Sequence, residues 1–391
     1  MKNLKTDWDV ITVGGSVSGL LAAKGIAEAG FTVQVLEEDL EIGIPERCDG
    51  LVSMKCLETI GIAPTNQIIQ NIIKRATLYS PSGLTIELDA SRQKVLVLNR
   101  SQFDRELAKM ASRSGVDIKV ENRVTKKMEK DGKVQVESKS DVYTAKWVIN
   151  ATGCSSLPKR KMTLQAAKFE VFGNWFDSDR VEIYFDQMKS PGYFIWVIPI
   201  SSDTAKVGIA GNGFNQFKIL DKFIASKKGA VVKKTAAQIV VGGPIENFIS
   251  GRIVSVGDAA GQAKPTTGGG IYSGGVGGML AGKYLGESLS SGDPSKVKEY
   301  ERAWRNLFSK EFGLLFQVRR ILERLDNDNI DKMFKVASTS DILTKISLES
   351  DFDYHSLALL KVLGLKNIFQ IANIATGDKL ESLRSLLRLS K

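Results

Sequence analysis

Residues 9–13 (DVITV) form a short β-branched run that leads directly into the turn GGSVSG (14–19). LLAAKGIAEAG (20–30) then reads as a helix closed by Gly30, and FTVQVLE (31–37) as a second strand. Strand, glycine turn, helix and strand within about 30 residues make a βαβ unit. It commits the chain to a parallel sheet with right-handed crossovers, and hence to an α/β fold. The turn also sets chemistry. Backbone N–H groups at the helix N-terminus, reinforced by the helix dipole, favour a phosphate. A strict GxGxxG would place Gly at 14, 16 and 19; here Ser16 takes the middle position. A middle Gly lets a pyrophosphate approach the backbone, whereas Ser is small and can donate a hydrogen bond of its own. Glu37 ends the second strand 18 residues after Gly19, where a carboxylate can accept hydrogen bonds from ribose hydroxyls. A dinucleotide site is expected at Gly14, Gly15, Ser16, Val17, Gly19 and Glu37; the alternative is an ordinary tight βα turn.

A second glycine-rich element, VSVGDAAGQAKPTTGGGIYSGGVGG (254–278), begins at the end of another expected strand. Asp258 follows Gly257, and Thr267-Gly268-Gly269-Gly270-Ile271 opens a glycine-rich helix. The N-terminus of that helix can face an electron-rich group such as the N1–C2=O side of a reduced flavin. Two such elements far apart in sequence suit a long ligand lying across the sheet, which fits FAD better than NAD. Packing of helices through small residues accounts for GGVGG but not for GD followed by PTTGGG.

Composition narrows the chemistry further. A length of 391 residues suggests two or three domains at about 150 residues each. His355 is the only histidine. That excludes a His-rich metal site and leaves a Ser-His-Asp triad one residue to use. It lies far along the chain from either glycine turn, and a surface or core role is expected. Cys48, Cys56 and Cys154 form neither CxxC nor a disulfide framework, which suits a reducing compartment. No leader-like segment and no run of about 18 apolar residues is found. A soluble or peripheral cytoplasmic protein is therefore expected. The net charge of +10 allows attraction to phosphate-rich partners, or reflects a solvated surface. Basic residues are dispersed and no recognition motif is found, so no nucleic-acid partner is expected.

Elsewhere, SMKCLETIGI (53–62) reads as a helix and RATLYSPSGLTIEL (75–88) as a hairpin around Pro-Ser-Gly. LNRSQFDRELAKMASRSG (98–115) reads as a helix capped by Ser101, with Asp104 three residues on and Gly115 at its end. Strands are expected in VDIKVENRV, KVQVESKS and YTAKWVINATG, and a strand-rich stretch from 165 to 245; residues 276–391 read as mostly helical. The expected architecture is an α/β, Rossmann-like FAD-binding domain of residues 1–75, 95–155 and 245–290. A β-rich substrate domain of 76–94 and 156–244 and a helical C-terminal region of 291–391 complete it.

Together these elements resemble the flavoprotein superfamily that includes the aromatic hydroxylases. Over residues 8–370 they resemble more closely the archaeal geranylgeranyl reductase family. EEDLEIGIPERC (37–48) is similar to the family's stretch linking a ribose-binding Glu to a Cys beside the flavin. LNRSQFDRELAKMASRSGVDIKV (98–120) is similar to its Arg-x-x-Phe-Asp helix, whose Arg lies near FAD. NATGCSS (150–156) resembles the superfamily's Asp-Gly motif, with Thr152 for the usual Asp, and GDAAGQAKPTTGGGI (257–271) matches the family pattern most specifically. The resemblance implies that Gly19, Glu37, Arg47, Cys48, Arg100, Val124, Asp258, Gly270 and Ile271 contact FAD, with Gly50 and Gly269 in the same segments.

PGYFIWVIP (191–199) resembles the family's Tyr-x-Trp-x-Phe-Pro substrate motif, with Phe194 where Tyr is usual and Ile198 where Phe is usual. This implies an apolar cavity for an isoprenoid chain, lined by Tyr193, Phe194, Trp196 and Pro199. The same residues resemble the Trp-x-Trp-x-Ile-Pro segment of flavin-dependent halogenases, and alternating aromatics also suit a half-buried strand. Arg47-Cys48-Asp49-Gly50 keeps the family's Cys, followed by an acidic residue and a Gly in the reverse of the usual order. A thiolate beside Arg47 would have a lowered pKa and could tune the flavin or donate a proton; a small side chain packed in a loop is the alternative. Cys48 is the candidate catalytic residue, and Cys56 and Cys154 are expected to be structural.

The resemblance implies FAD-dependent saturation of geranylgeranyl double bonds on archaeal membrane phospholipids. Hydride would pass from flavin N5 to one carbon, and a proton from Cys48, a Tyr or water to the other. The cofactor carries the hard chemistry, which suits a chain whose one His lies away from every motif. With no second glycine-rich βαβ unit, electrons are expected from an external donor: a ferredoxin-like protein, a reduced quinone or NAD(P)H. The alternatives are a flavin monooxygenase or halogenase acting on an aromatic substrate, which for halogenation predicts a Lys near the pocket, and a flavin-binding carrier without turnover. GDKLESLRSLLRLSK (377–391) places Leu380, Leu383, Leu386 and Leu387 on one helical face, with Lys379, Arg384, Arg388 and Lys391 largely off it. Such a helix can lie on an anionic bilayer or dock on the core. The first of these two outcomes would bring the protein to the anionic inner face of the cell membrane.

Overall fold

The computed structural model describes residues 3–139, 141–158, 162–338 and 351–356. β1 (Asn3–Val13) lies between β2 (Val33–Leu36) and β11 (Asp141–Asn150), parallel to both. β1 begins before the β-branched run because Asn3 and Leu4 already find register partners in Asp141 and Val142. β8 (Asp117–Lys119) adds beyond β2 and β18 (Ile253–Ser255) beyond β11, again parallel. The resulting order is β18-β11-β1-β2-β8. β17 (Ile249–Ser250) extends it antiparallel on β18, and the hairpin β9 (Val124–Lys130) to β10 (Lys133–Ser138) joins through β11.

Among the described residues the longer helices are α1 (Val17–Glu28), α2 (Met54–Ile60), α3 (Arg100–Arg113), α4 (Gln216–Ser226), α5 (Ile271–Ser291), α6 (Lys298–Leu322) and α7 (Asn327–Ser338). None is long and apolar enough to cross a membrane. α1 is the crossover of the opening unit and packs backbone to backbone on α5. A Cβ on Gly278 would stand 2.2 Å from Ser18 O, and one on Gly282 would stand 2.7 Å from Ala22 O. α6 buries Tyr300, Trp304, Phe308 and Phe312 at every fourth position, the stripe a helix needs to cover a core. Trp304 Nε1 donates to Ser273 O at 2.9 Å, which ties α6 to the start of α5.

The cap expected at Ser101 lies elsewhere. Asn99 caps α3, its side-chain oxygen accepting from Gln102 N–H, while the Ser101 hydroxyl donates to that same oxygen. Asp104 turns instead to Arg100.

A second sheet runs β16 (Ala230–Val240), β12 (Thr163–Phe172), β15 (Thr204–Gly211), β14 (Ile195–Pro199), β13 (Arg180–Tyr184), β5 (Arg75–Tyr79), β6 (Thr85–Asp89), antiparallel except for β13 on β5. Helix α4, unforeseen in a strand-rich stretch, covers one face through Leu220 and Ile224 against Phe169 and Val197. The other face meets a small sheet ordered β3 (Leu51–Ser53), β7 (Val95–Leu98), β4 (Ile69–Ile73). Val95 and Val97 pack there against Tyr193 and Trp196. The basic amphipathic segment 377–391 lies outside the described residues.

Candidate active site

Four parallel strands end on one side of the first sheet. β1 delivers Gly14, β2 delivers Glu37, β11 leads to Ala151-Thr152, and β18 leads to Gly257-Asp258. Open α/β sheets bind ligands beyond these carboxyl ends. Gly14 has φ +110°, and a Cβ there would lie 2.2 Å from Ala151 O. Only glycine lets the turn sit this close to β11. Glu37 is anchored from both oxygens: Gly15 N–H donates to Oε2 at 2.6 Å, and Asp39 N–H to Oε1 at 2.9 Å. Val17 is buried beneath the turn, and Val124 packs in the cluster of Val13 and Leu36 where β1 and β2 end.

Ser16, which replaces the middle glycine, ties the turn to α3. Its hydroxyl lies 3.3 Å from Asp104 Oδ2 and accepts from Arg100 Nη2 at 3.3 Å. Arg100 Nη2 contacts both Asp104 oxygens at 3.0 and 2.9 Å, and both residues are buried. Burial works against the Arg100 charge, but attraction to Asp104 and the Cys48 side chain outweighs it and raises the guanidinium pKa. Burial pushes the Asp104 carboxyl up even against Arg100. Arg100 Nε is buried without a partner; such an orphan on a charged side chain calls for a ligand.

The loop around Cys48 departs from expectation. Arg47 is committed to Asp39, at 2.8 and 3.2 Å, so the cation engaging the exposed Cys48 is Arg100. Two lysines not foreseen from sequence lie under this loop. Lys168 Nζ donates to Cys48 O at 3.1 Å; Lys206 Nζ donates to Asp49 O at 3.2 Å, Leu98 O at 3.3 Å and Gln70 Oε1 at 3.0 Å. Burial pulls the Lys206 pKa down, against Asp49 and Glu46. Their only sequence signal is a lysine inside otherwise apolar strands, AAKF and TAKV. Gly50 packs against Leu98 and the Arg100 side chain. Cys56 is fully buried, and burial pushes its thiol pKa up. Cys154 lies 3.0 Å from Gln238 Oε1.

On the opposite side of the site, Asp258 stands beside the start of α5: a Cβ on Gly270 would lie 3.1 Å from Asp258 Oδ1. Burial pushes the Asp258 carboxyl up to about 6, with Arg100 pulling it down. Gly269, Gly270 and Ile271 form the N-terminus of α5, and Lys264 N–H to Gly269 O at 3.0 Å closes the loop before it. Trp196 and Pro199 are buried in β14; Tyr193 and Phe194 precede it with their rings stacked at 4.2 Å. Trp196 Nε1 donates to Asp49 Oδ2 at 2.7 Å, linking this aromatic segment to the Cys48 loop.

His355 is not remote in space. Residues 351–356 return to the core, where His355 Nε2 lies 3.3 Å from Thr266 Oγ1 and Nδ1 lies 3.2 Å from Phe352 O. Burial, with Lys264 nearby, lowers its pKa to about 3, so it folds neutral. A base with a depressed folded pKa contributes stability above its unfolded pKa near 6.5 and loses it as pH falls toward 3. Between pH 7 and pH 5 the wild type should lose on the order of 1–2 kcal/mol more than His355→Gln, read from urea midpoints. Equal slopes would refute this. Among the described residues no cluster of three or more His, Cys, Asp or Glu side chains could hold a metal ion.

The residues present fit FAD. An anchored acid lies at the end of β2, a buried guanidinium keeps a free N–H, and two glycine-rich helix starts share one end of the sheet. Residues 7–227 match the family described as FAD binding domain. The digeranylgeranylglycerophospholipid reductase of Methanocaldococcus jannaschii is 30% identical over 367 residues, covering 87% of this chain and 93% of that protein. A geranylgeranyl bacteriochlorophyll reductase-like structure from Thermoplasma acidophilum has a TM-score of 0.84 at 27% identity, covering 95% of this chain and 99% of its own. The p-nitrophenol 4-monooxygenase of Pseudomonas putida, with a TM-score of 0.69 at 17% identity over 92% of this chain and 99% of its own, shares the fold alone. The cofactor is FAD, and with a lipid reductase matched along nearly its whole length, this chain belongs to the FAD-binding digeranylgeranylglycerophospholipid reductase family.

Proposed function

We propose that this FAD-dependent oxidoreductase saturates the isoprenoid double bonds of geranylgeranyl chains carried on a membrane phospholipid. The observation that carries this reading is the apolar cluster of Tyr193, Trp196, Ile198, Leu164 and Val97, with Phe194 packed on it, next to the glycine loop before α5. Glu37, the turn Gly14, Gly15, Ser16, Val17 and Gly19, Arg100, Val124, Asp258 and Gly269 to Ile271 would hold FAD, which when bound and reduced supplies a hydride. An isolated alkene carries no charge for the protein to stabilise, so the chain contributes positioning and exclusion of water. Asp49 takes the Trp196 indole N–H, which leaves the ring face as an apolar wall. Lys168 and Lys206 spend their donors on loop carbonyls and Gln70, so they serve the fold rather than a halogenating pocket. Cys48, engaged by Arg100, would lie at the flavin edge and tune the reduced cofactor.

Electrons would come from a ferredoxin-like protein, a reduced quinone or NAD(P)H. The enzyme would work in the cytoplasm, drawing its substrate from the anionic inner face of the membrane, a setting supported by the +10 charge. The test is anaerobic. Dithionite-reduced protein given a digeranylgeranyl glycerophospholipid should reoxidise its flavin and yield product heavier by two mass units per double bond. A lipid of unchanged mass would overturn the reading.

A further inference from the structure

Tyr193 carries a group that an apolar wall does not need. It is 4% exposed, and its hydroxyl is buried without a hydrogen-bond partner. A buried unpaired hydroxyl is costly, and phenylalanine would fill the same space without that cost, as Phe194 does beside it. The hydroxyl faces the loop that enters α5: a Cβ built on Gly268 would lie 3.5 Å from Tyr193 Oη and would collide with Ile239. Ile239 and a φ of +68° are what require glycine at 268, and the phenol lies against this same segment, which continues into Gly269, Gly270 and Ile271. The Arg319 guanidinium lies 5.7 Å from the Tyr193 ring centre. Arg319 is itself buried and held by Glu323 at 2.6 Å and Pro265 O at 3.5 Å. Asp49 is the other charge that acts on the phenol, and it is occupied by the Trp196 indole and Lys168.

Resting on the reductase reading, we propose that Tyr193 is the proton donor, its Oη–H delivering the proton to the alkene carbon that does not take the hydride. The balance is simple. The C=C π bond, the N–H bond of reduced flavin that gives up the hydride and the Oη–H bond break, and two C–H bonds form. One receives a hydride, and so two electrons, from reduced flavin; the other receives the phenolic proton. Flavin is left oxidised and Tyr193 is left as a phenolate beside Arg319. A small recess lined by Tyr193, Gln187, Thr266 and Arg319 borders the ring, on the side from which the proton would be replaced. Burial raises the phenol pKa, with Arg319 pulling it down, so Tyr193 stands protonated and the nearby guanidinium favours loss of the proton.

The test compares wild type, Tyr193→Phe and Cys48→Ala as reduced holoenzymes under anaerobic conditions. Stopped-flow absorbance follows flavin reoxidation by a digeranylgeranyl lipid and, separately, by ferricyanide, which needs no proton on carbon. Flavin content and lipid binding to the oxidised proteins, read from tryptophan fluorescence, are measured alongside. Tyr193→Phe should bind flavin and lipid within about twofold of wild type and react with ferricyanide at the wild-type rate. Its oxidation by lipid should be at least about 100-fold slower, the usual scale of a lost general acid, with Cys48→Ala slowed much less. A lipid rate for Tyr193→Phe within threefold of wild type overturns the donor assignment alone. Wild-type flavin that the lipid does not reoxidise overturns the reductase reading, and the donor with it.

Discussion

Replacing Arg100 with Met should cost about 3–5 kcal/mol of stability and leave the protein without flavin. Among the described residues the guanidinium is the one ionic partner of Asp104, which is 4% exposed. Removing one member of a buried pair strands the other charge, which is why such losses exceed those of surface pairs. The same side chain bonds Ser16 in the glycine turn and touches Gly50 in the Cys48 loop, so two segments around the expected cofactor lose their common support. The double variant Arg100→Met/Asp104→Leu separates fold from function. With both charges gone an apolar pair should regain most of the stability, yet flavin should stay absent because the unpaired Nε–H is gone. Urea denaturation and absorbance near 450 nm after purification read the two effects. A double variant that is stable and yellow would show that Arg100 serves the fold only.

Gly278→Val should be the second severe change. A Cβ there would meet Ser18 O at 2.2 Å and Ser18 C and Cα at 2.9 Å. These are backbone atoms of α1, so no side chain can swing away, and α1 and α5 must part by about 1 Å or more. Overpacking of this kind costs roughly 1–3 kcal/mol, occasionally more. The functional loss should be larger than the stability loss suggests, because each helix presents its N-terminus to the same site. Flavin affinity should fall more than tenfold. Gly313→Ala is the matched control: it lies in α6 with nothing within 4 Å of the added Cβ, and helix propensity predicts a gain of roughly 0.5–1 kcal/mol. If Gly278→Val binds flavin as tightly as this control, the packing account fails.

The parts of the fold legible in sequence are those written in local pattern. The βαβ unit follows from a β-branched run, a glycine turn and an Ala-rich helix in 30 residues, and the PSG hairpin from turn residues between short alternating strands. Helix α4 is not legible in sequence, because NQFKILDKFIAS alternates as plausibly as its strand neighbours until the sheet face it covers is known. The cap of α3 is not fixed by local pattern, because one turn chemistry competes with another: Asn99 and Ser101 both suit the role, and Arg100 draws Asp104 away from it.

The sequence by itself determined the class of the protein. Glycines at 14 and 19, an acid at 37 and GD followed by PTTGGGI are dictated by backbone approach and helix polarity, which act over a few residues and therefore leave a readable spacing. Tertiary structure alone decided how polar groups are spent. Ser16 serves Arg100 and Asp104, 84 and 88 residues away; His355 meets Thr266 across 89; Lys206 reaches Asp49 O across 157. The physical reason is that a buried charge or hydroxyl is tolerated only with a partner or a purpose. The partner is chosen by which strands and loops the fold brings together. Tyr193, whose hydroxyl is left without one as are those of Thr12 and Thr77 among the described residues, is therefore visible as a candidate only after every neighbour has been placed.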